Sequence, residues 1–205
     1  MKIYQKTVYI LLNTESMSER LKALEKFRDL VVAEAKANLQ KMGKDTSGKL
    51  SNSIKGDVKE MPNSIGVYFE MEPYGNFQDK GVKGANPTGL PSSSKNYGKQ
   101  NAPNSPYKFG SGSGQKGGLT RSLDSWMVRK GIAPRNVKGQ FQSRKGLRFI
   151  IARSIYMTGI KPSLFFTKPF EAAYKTLPDT LIDKYGLDAE QLLNEILDQN
   201  LKNIK

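Results

Sequence analysis

The sequence predicts an α+β fold, in which a small antiparallel β-sheet is packed by a long N-terminal helix and several C-terminal helices, with a long basic loop inserted between them. Three observations predict it. Apolar residues recur every three or four positions from Leu21 to Met42, as on one face of an amphipathic helix. Two segments with alternating character follow, separated by a short turn. After a stretch poor in apolar residues, helical stripes return and continue to the C-terminus. A length of 205 residues suits one domain or one domain with an insertion. The expected organisation is therefore a single α+β domain over 1–205, a flexible Gly/Ser/Asn-rich basic insertion at 83–118, and a helical extension at 187–205.

Taken in order, residues 2–13 read as a strand, with Lys2, Tyr4 and Lys6 alternating against Ile3, Gln5 and Thr7. Ser16 and Glu19 have capping-box spacing. The helix they open carries Leu21, Leu24, Phe27, Leu30/Val31, Ala35, Leu39 and Met42 on one face, and Gly43 is placed to end it. Strands are predicted over Ser51–Glu60 and Ile65–Glu72, with Met61-Pro62-Asn63-Ser64 as the turn. Gly81 to Gly118 is rich in Gly, Ser, Asn, Pro and Lys, too polar to hold itself by apolar burial. Leu119–Lys130 is predicted as a helix ended by Gly131. A basic, turn-rich stretch leads to a second helix, Arg144–Thr158, with Leu147, Ile150, Ile151, Ser154 and Ile155 inward and Gly159 at its end. Thr167 is a cap candidate with Pro169 in the first turn. That helix is expected to reach Tyr185 with a kink at Pro178, before a last helix buried through Leu192, Leu193, Ile196, Leu197 and Leu201.

Composition narrows the chemistry. There is no histidine and no cysteine, which removes Ser-His, Cys-His and thiolate mechanisms and every zinc site built on imidazole or sulfur. Carboxylate, lysine and oxygen-bound magnesium chemistry survive that filter. Without cysteine there is no disulfide framework, which points to an intracellular or particle setting. The apolar run Val8–Leu12 is too short to span a bilayer, so a soluble protein with no membrane partner is expected.

The net charge of +14 is unevenly placed. Fourteen bases lie between Lys83 and Arg153: Lys83, Lys95, Lys99, Lys108, Lys116, Arg121, Arg129, Lys130, Arg135, Lys138, Arg144, Lys145, Arg148 and Arg153. One acid, Asp124, opposes them, so this stretch carries +13 and the rest of the chain +1. A block of one sign points to a polyanion or an acidic protein surface; a solvated surface mixes signs.

Three possible sites can be weighed against simpler readings. Gly110-Ser111-Gly112-Ser113-Gly114-Gln115-Lys116 lacks the Gly before and the Ser or Thr after its Lys that a phosphate-binding loop requires. Asp57-Val58-Lys59-Glu60, with Glu70, Glu72 and Asp79 nearby, could serve a metal-dependent nuclease only if several of those carboxylates converged. Phe165 and Phe166 could stack bases, but aromatics at a helix entrance, together with Phe170, read first as anchors of a core or a subunit interface. No catalytic residue, cofactor or metal is expected.

Three segments together resemble the tail-completion or head–tail joining (neck) proteins of long-tailed bacteriophages. Asp45-Thr46-Ser47-Gly48-Lys49-Leu50-Ser51-Asn52-Ser53-Ile54 is similar to the family's Asp-Thr-Gly, Leu, Ser-Ile signature after its first helix, with Ser47 as an extra residue and the frequent preceding Pro absent. Tyr74-Gly75-Asn76-Phe77-Gln78-Asp79-Lys80-Gly81 is similar to its Tyr, aromatic, acid, Gly pattern. Pro169-Phe170-Glu171-Ala172-Ala173 is similar to the Pro-Phe-x-x-Ala opening of its later helix. The matches cover 18–81 and 160–177. The resemblance implies a structural virion protein made in the host bacterial cytoplasm. It implies a subunit of a homo-oligomeric ring at the head–tail junction, without an active site. Its neighbours would be portal or adaptor and tail proteins, with packaged DNA passing through without sequence preference. The alternatives are a sequence-independent nucleic-acid-binding or DNA-packaging protein and, further off, the nuclease.

Overall fold

The computed structural model describes residues 17–61, 64–111 and 118–177. The strand expected at 2–13, the Pro178 kink, the helix at 187–205 and Lys116 lie outside them. The chain is α+β, and it divides into two compact units, one comprising residues up to Asp79 and from Leu164 onward, the other Lys80–Ser163. The loop expected at 83–118 falls inside the second of these. The inserted piece is larger and includes two helices of its own.

In the first unit, α1 (Met17–Lys41) buries Leu24, Phe27, Val31, Ala35 and Leu39, a stripe at helical spacing. Met42, expected in that stripe, is 42% exposed because it lies past the last helical residue. The helix ends where Gly43 takes a positive φ of 59°. There Lys44 N–H reaches the Leu39 carbonyl and Gly43 N–H the Gln40 carbonyl, the paired bonds of a Schellman ending.

Residues 51–53, predicted as strand, belong instead to a short helix, α2 (Lys49–Ser53). Local side-chain bonds explain the difference, since the Ser51 and Ser53 hydroxyls donate to the Gly48 and Leu50 carbonyls. The sheet is the hairpin of β1 (Lys55–Met61) and β2 (Ser64–Glu70), antiparallel, with Val58 opposite Val67 and Asp57 opposite Tyr68. Both faces of β2 are covered, because Tyr68 is buried as well as Ile65 and Val67. A short helix, α3 (Gly75–Lys80), follows.

The core closes on α6 (Thr167–Tyr174). Phe165, Phe166 and Phe170 are almost fully buried within this unit. Phe170 meets Phe27 edge-on at 5.4 Å between ring centroids, and Phe69 meets Phe166 edge-on at 5.5 Å, the arrangement aromatic quadrupoles prefer. The described part of this helix ends at Tyr174, and the stretch from Pro178 to Tyr185 lies outside the described residues. Thr176 and Leu177 turn back onto the Ala173 and Tyr174 carbonyls, and a residue preceding Pro178 is biased away from helix.

The second unit is built on a two-residue antiparallel pair, β3 (Val82–Lys83) with β4 (Gly159–Ile160). Gly84 and Gly159 permit the contact. A Cβ on Gly84 would collide with the Met157 carbonyl, and one on Gly159 with the Val82 carbonyl. The helices of this unit are α4 (Gly118–Arg129) and α5 (Arg144–Thr158).

The segment expected to be flexible has a defined path from Val82 to Ser111, and polar groups hold it. Gln100 spans both backbone groups of Gly84, accepting from its N–H at 2.7 Å and donating to its carbonyl at 3.3 Å. Asn101 donates from its backbone to Thr158 and from its side chain to Thr158 and Gly159. Ser105 Oγ donates to the Gly81 carbonyl at 2.7 Å. Such a segment needs few apolar anchors because its backbone groups are paired locally.

Phe170 joins α1, β2 and α6, so Phe170→Ala should lower unfolding free energy by on the order of 3–5 kcal/mol in a denaturant titration. A variant with the parent's midpoint would place the ring outside the core.

Candidate interaction surface

The basic residues singled out from the sequence fall together in the second unit, since Lys80–Ser163 contains sixteen Lys and Arg and one acid. Its formal charge is thus +15, and the remaining residues sum to −1. Its single acid, Asp124, pairs with Arg148 at 3.3 Å, a partly exposed pair that adds little stability. Lys95, Lys99, Lys108, Arg121, Arg129, Lys130, Arg135, Lys138, Arg144 and Lys145 are exposed, whereas Lys83 and Arg148 are half-buried. Arg153 is exposed and donates to the Gly89 carbonyl.

Elements of different kinds display these charges. Between α4 and α5, Arg135 and Phe141 form an isolated antiparallel bridge, closed by Asn136, whose N–H donates to the Gln140 carbonyl and whose side-chain oxygen accepts from Gln140 N–H. The Arg135 guanidinium lies 3.9 Å from the centroid of the Phe141 ring, within cation–π range. Ser143 then caps α5, accepting from Lys145 N–H.

Among these bases stand large exposed apolar side chains that the sequence reading missed. Phe149 is 61% and Ile150 64% exposed, and Val128, Val137 and Phe141 are exposed as well. Ile150, expected inward, points out. The inward face of α5 holds the half-buried Leu147, Ile151, Ser154 and Ile155 and the buried Thr158. Position 150 falls outside that arc at 100° per residue, a signal available in the spacing alone.

The carboxylates weighed as a metal site do not assemble. Asp57 is an exposed strand residue paired with Lys59. Among the described residues, no group of three His, Cys, Asp or Glu side chains could hold a metal ion. Asp79 is fully buried, and its carboxylate accepts from Phe166 N–H at 2.9 Å, from Thr167 N–H at 3.2 Å and from the Thr167 hydroxyl. Thr167 therefore does not cap α6 as expected. It donates to the acid that does.

Asp79 also ties together segments far apart in sequence. Leu164, whose φ of 53° is in the left-handed region, donates its N–H to the Asp79 carbonyl at 3.0 Å. That backbone conformation costs about 1–2 kcal/mol for a residue with a Cβ and is held by the bonds on either side. The segment around Gly48 connects to Glu72, ahead of α3. Asp45 accepts from Ser51 N–H, Ser53 Oγ accepts from Glu72 N–H at 3.0 Å, and Lys49 pairs with Glu72 at 3.2 Å. Partial burial first, then the negative charges of Glu72 and Asp45, push the Tyr74 phenol above its ordinary pKa. The three segments 45–54, 74–81 and 169–173 are thus parts of one substructure, linked through Glu72 and Asp79 and the start of α6. Compared with protein-family models, with curated proteins and with solved structures, the chain matches none.

Replacing Asp79 by Ala leaves the Phe166 and Thr167 N–H groups and the Thr167 hydroxyl without their buried acceptor. Unfolding free energy should fall by on the order of 3 kcal/mol, while Asp57→Asn, at an exposed site, should change it by less than about 0.5 kcal/mol. Equal melting of the two variants would contradict the assignment.

Proposed function

We propose that this chain is a structural virion protein of the bacteriophage neck or tail-completion type, a subunit of the ring that joins head to tail and lets DNA through. One observation carries the reading. Bonds tie 45–54 to Glu72, two residues ahead of 74–81, and tie Asp79 of the second segment to Phe166 and Thr167, just ahead of 169–173, so the three segments that resemble that family neighbour one another in one connected substructure. Partners on this reading are other copies of the chain, portal or adaptor and tail proteins, and packaged DNA. Assembly is the mechanism, without a catalytic step or a cofactor. The Lys and Arg of the second unit meet phosphates or acidic neighbours by contacts that read no sequence and weaken with salt.

The +15 charge of the second unit favours one other reading, a sequence-independent nucleic-acid-binding or packaging protein. The two differ in what holds copies together. A neck subunit should form closed particles in nuclease-treated, nucleic-acid-free buffer, with an open centre in negative-stain images and no cleavage of added DNA in the presence of magnesium. A chain that stays monomeric until DNA is added, and whose DNA complex dissociates with salt, would support the rival.

A further inference from the structure

The outward face of α5 combines basic side chains with an apolar pair that DNA alone does not require. Lys145, Gly146, Phe149, Ile150 and Arg153 share that face at helical spacing, and all five are exposed. A Cβ built on Gly146 would have open space around it, so another backbone could approach closely there. Phosphate binding needs the bases, but it leaves Phe149 and Ile150 in water, and adjacent large apolar side chains flanked by cations suit a protein surface of apolar and acidic character. A second copy of the same unit cannot supply it, because both carry +15 and like charges repel.

The chain's own sequence contains a matching segment. Between Leu187 and Leu201 there are four acids and no base, and Leu193 and Leu197 stand at helical spacing. We infer that the outward face of α5 is a docking site for the acidic, leucine-bearing segment 187–201 of a neighbouring copy. Phe149 and Ile150 receive its leucines, and Lys145 and Arg153 face its carboxylates. The contact is heterologous, one surface of a copy meeting a different surface of the next, and such contacts generate rings when the rotation closes. The inference rests on the ring reading above and specifies which surfaces would make it.

Complementation between two full-length variants tests it. The face variant carries Phe149→Glu and Ile150→Glu, and the segment variant carries Leu193→Lys and Leu197→Lys. Each alone should be monomeric by sedimentation velocity. Mixed, they should form a dimer and nothing larger, since the pair holds one intact face and one intact segment. A charge-only series guards against misfolding. Lys145→Glu with Arg153→Glu, or Glu190→Lys with Glu195→Lys, should each weaken self-association on the order of tenfold or more, and the chain with all four changes should recover it. A wild-type chain that stays monomeric, a mixture that stays monomeric, or no recovery in the four-site chain would overturn the inference. Closed rings from either variant alone would overturn the inference and leave the neck reading standing. Open fibres or dimers of the wild type, lost in both variants, would do the reverse.

Discussion

A carboxylate taken out of water must be compensated where it stands, and that of Asp79 is compensated by the start of a helix 87 and 88 residues away. Two backbone N–H groups that open α6 would otherwise lack helical partners, and the acid and the helix start satisfy each other. The consequence is topological. The chain leaves the first unit after Asp79 and returns at Leu164, and the bond from Leu164 N–H to the Asp79 carbonyl holds those two points together. Because closure entropy grows slowly with loop length, a tied pair of ends tolerates an excursion as long as Lys80–Ser163. The aromatic cluster of Phe27, Phe69, Phe166 and Phe170 depends on the same anchor, which sets where Phe166 enters the core.

The two units are stabilised by different means, and their charges follow. The first has an apolar core from α1, the hairpin and α6 and is close to neutral overall. In the second, side chains such as Gln100, Asn101 and Ser105 satisfy backbone groups directly, while Leu90, Ala102, Leu123, Met127 and Ala152 provide modest burial. With sixteen bases against one acid in this unit, the bases repel one another, an electrostatic cost that an anionic partner would remove. Exposed Phe149 and Ile150 add an apolar requirement to the electrostatic one. On the reading proposed above, a partner macromolecule would meet both requirements at once.

How much of this was legible depended on how local the cause was. The helix α1 could be read because its apolar spacing and Gly43 are both local signals, and the hairpin because β2 alternates. Residues 51–53 misled because Ser hydroxyls that bond to neighbouring carbonyls leave no periodic trace. The path of 84–111 was hidden because single polar side chains hold it rather than an apolar pattern. Asp79 stood in a recognisable motif, yet its partners at Phe166 and Thr167 lie too far along the chain for spacing to reveal them. The basic character of the site was plain from charge placement alone. Its exposed apolar residues are less so, because Ile150 lies next to the inward stripe of α5 and Phe149 carries no local sign of exposure.

The account predicts a location as well as a shape, since a neck subunit belongs at one place in a particle. Immunogold labelling of purified tailed particles, using antibody raised against this chain, tests that claim most directly. The account predicts label confined to the junction of head and tail, retained when free nucleic acid is digested. Particles without label, or label that follows nucleic acid and disappears with nuclease, would contradict it.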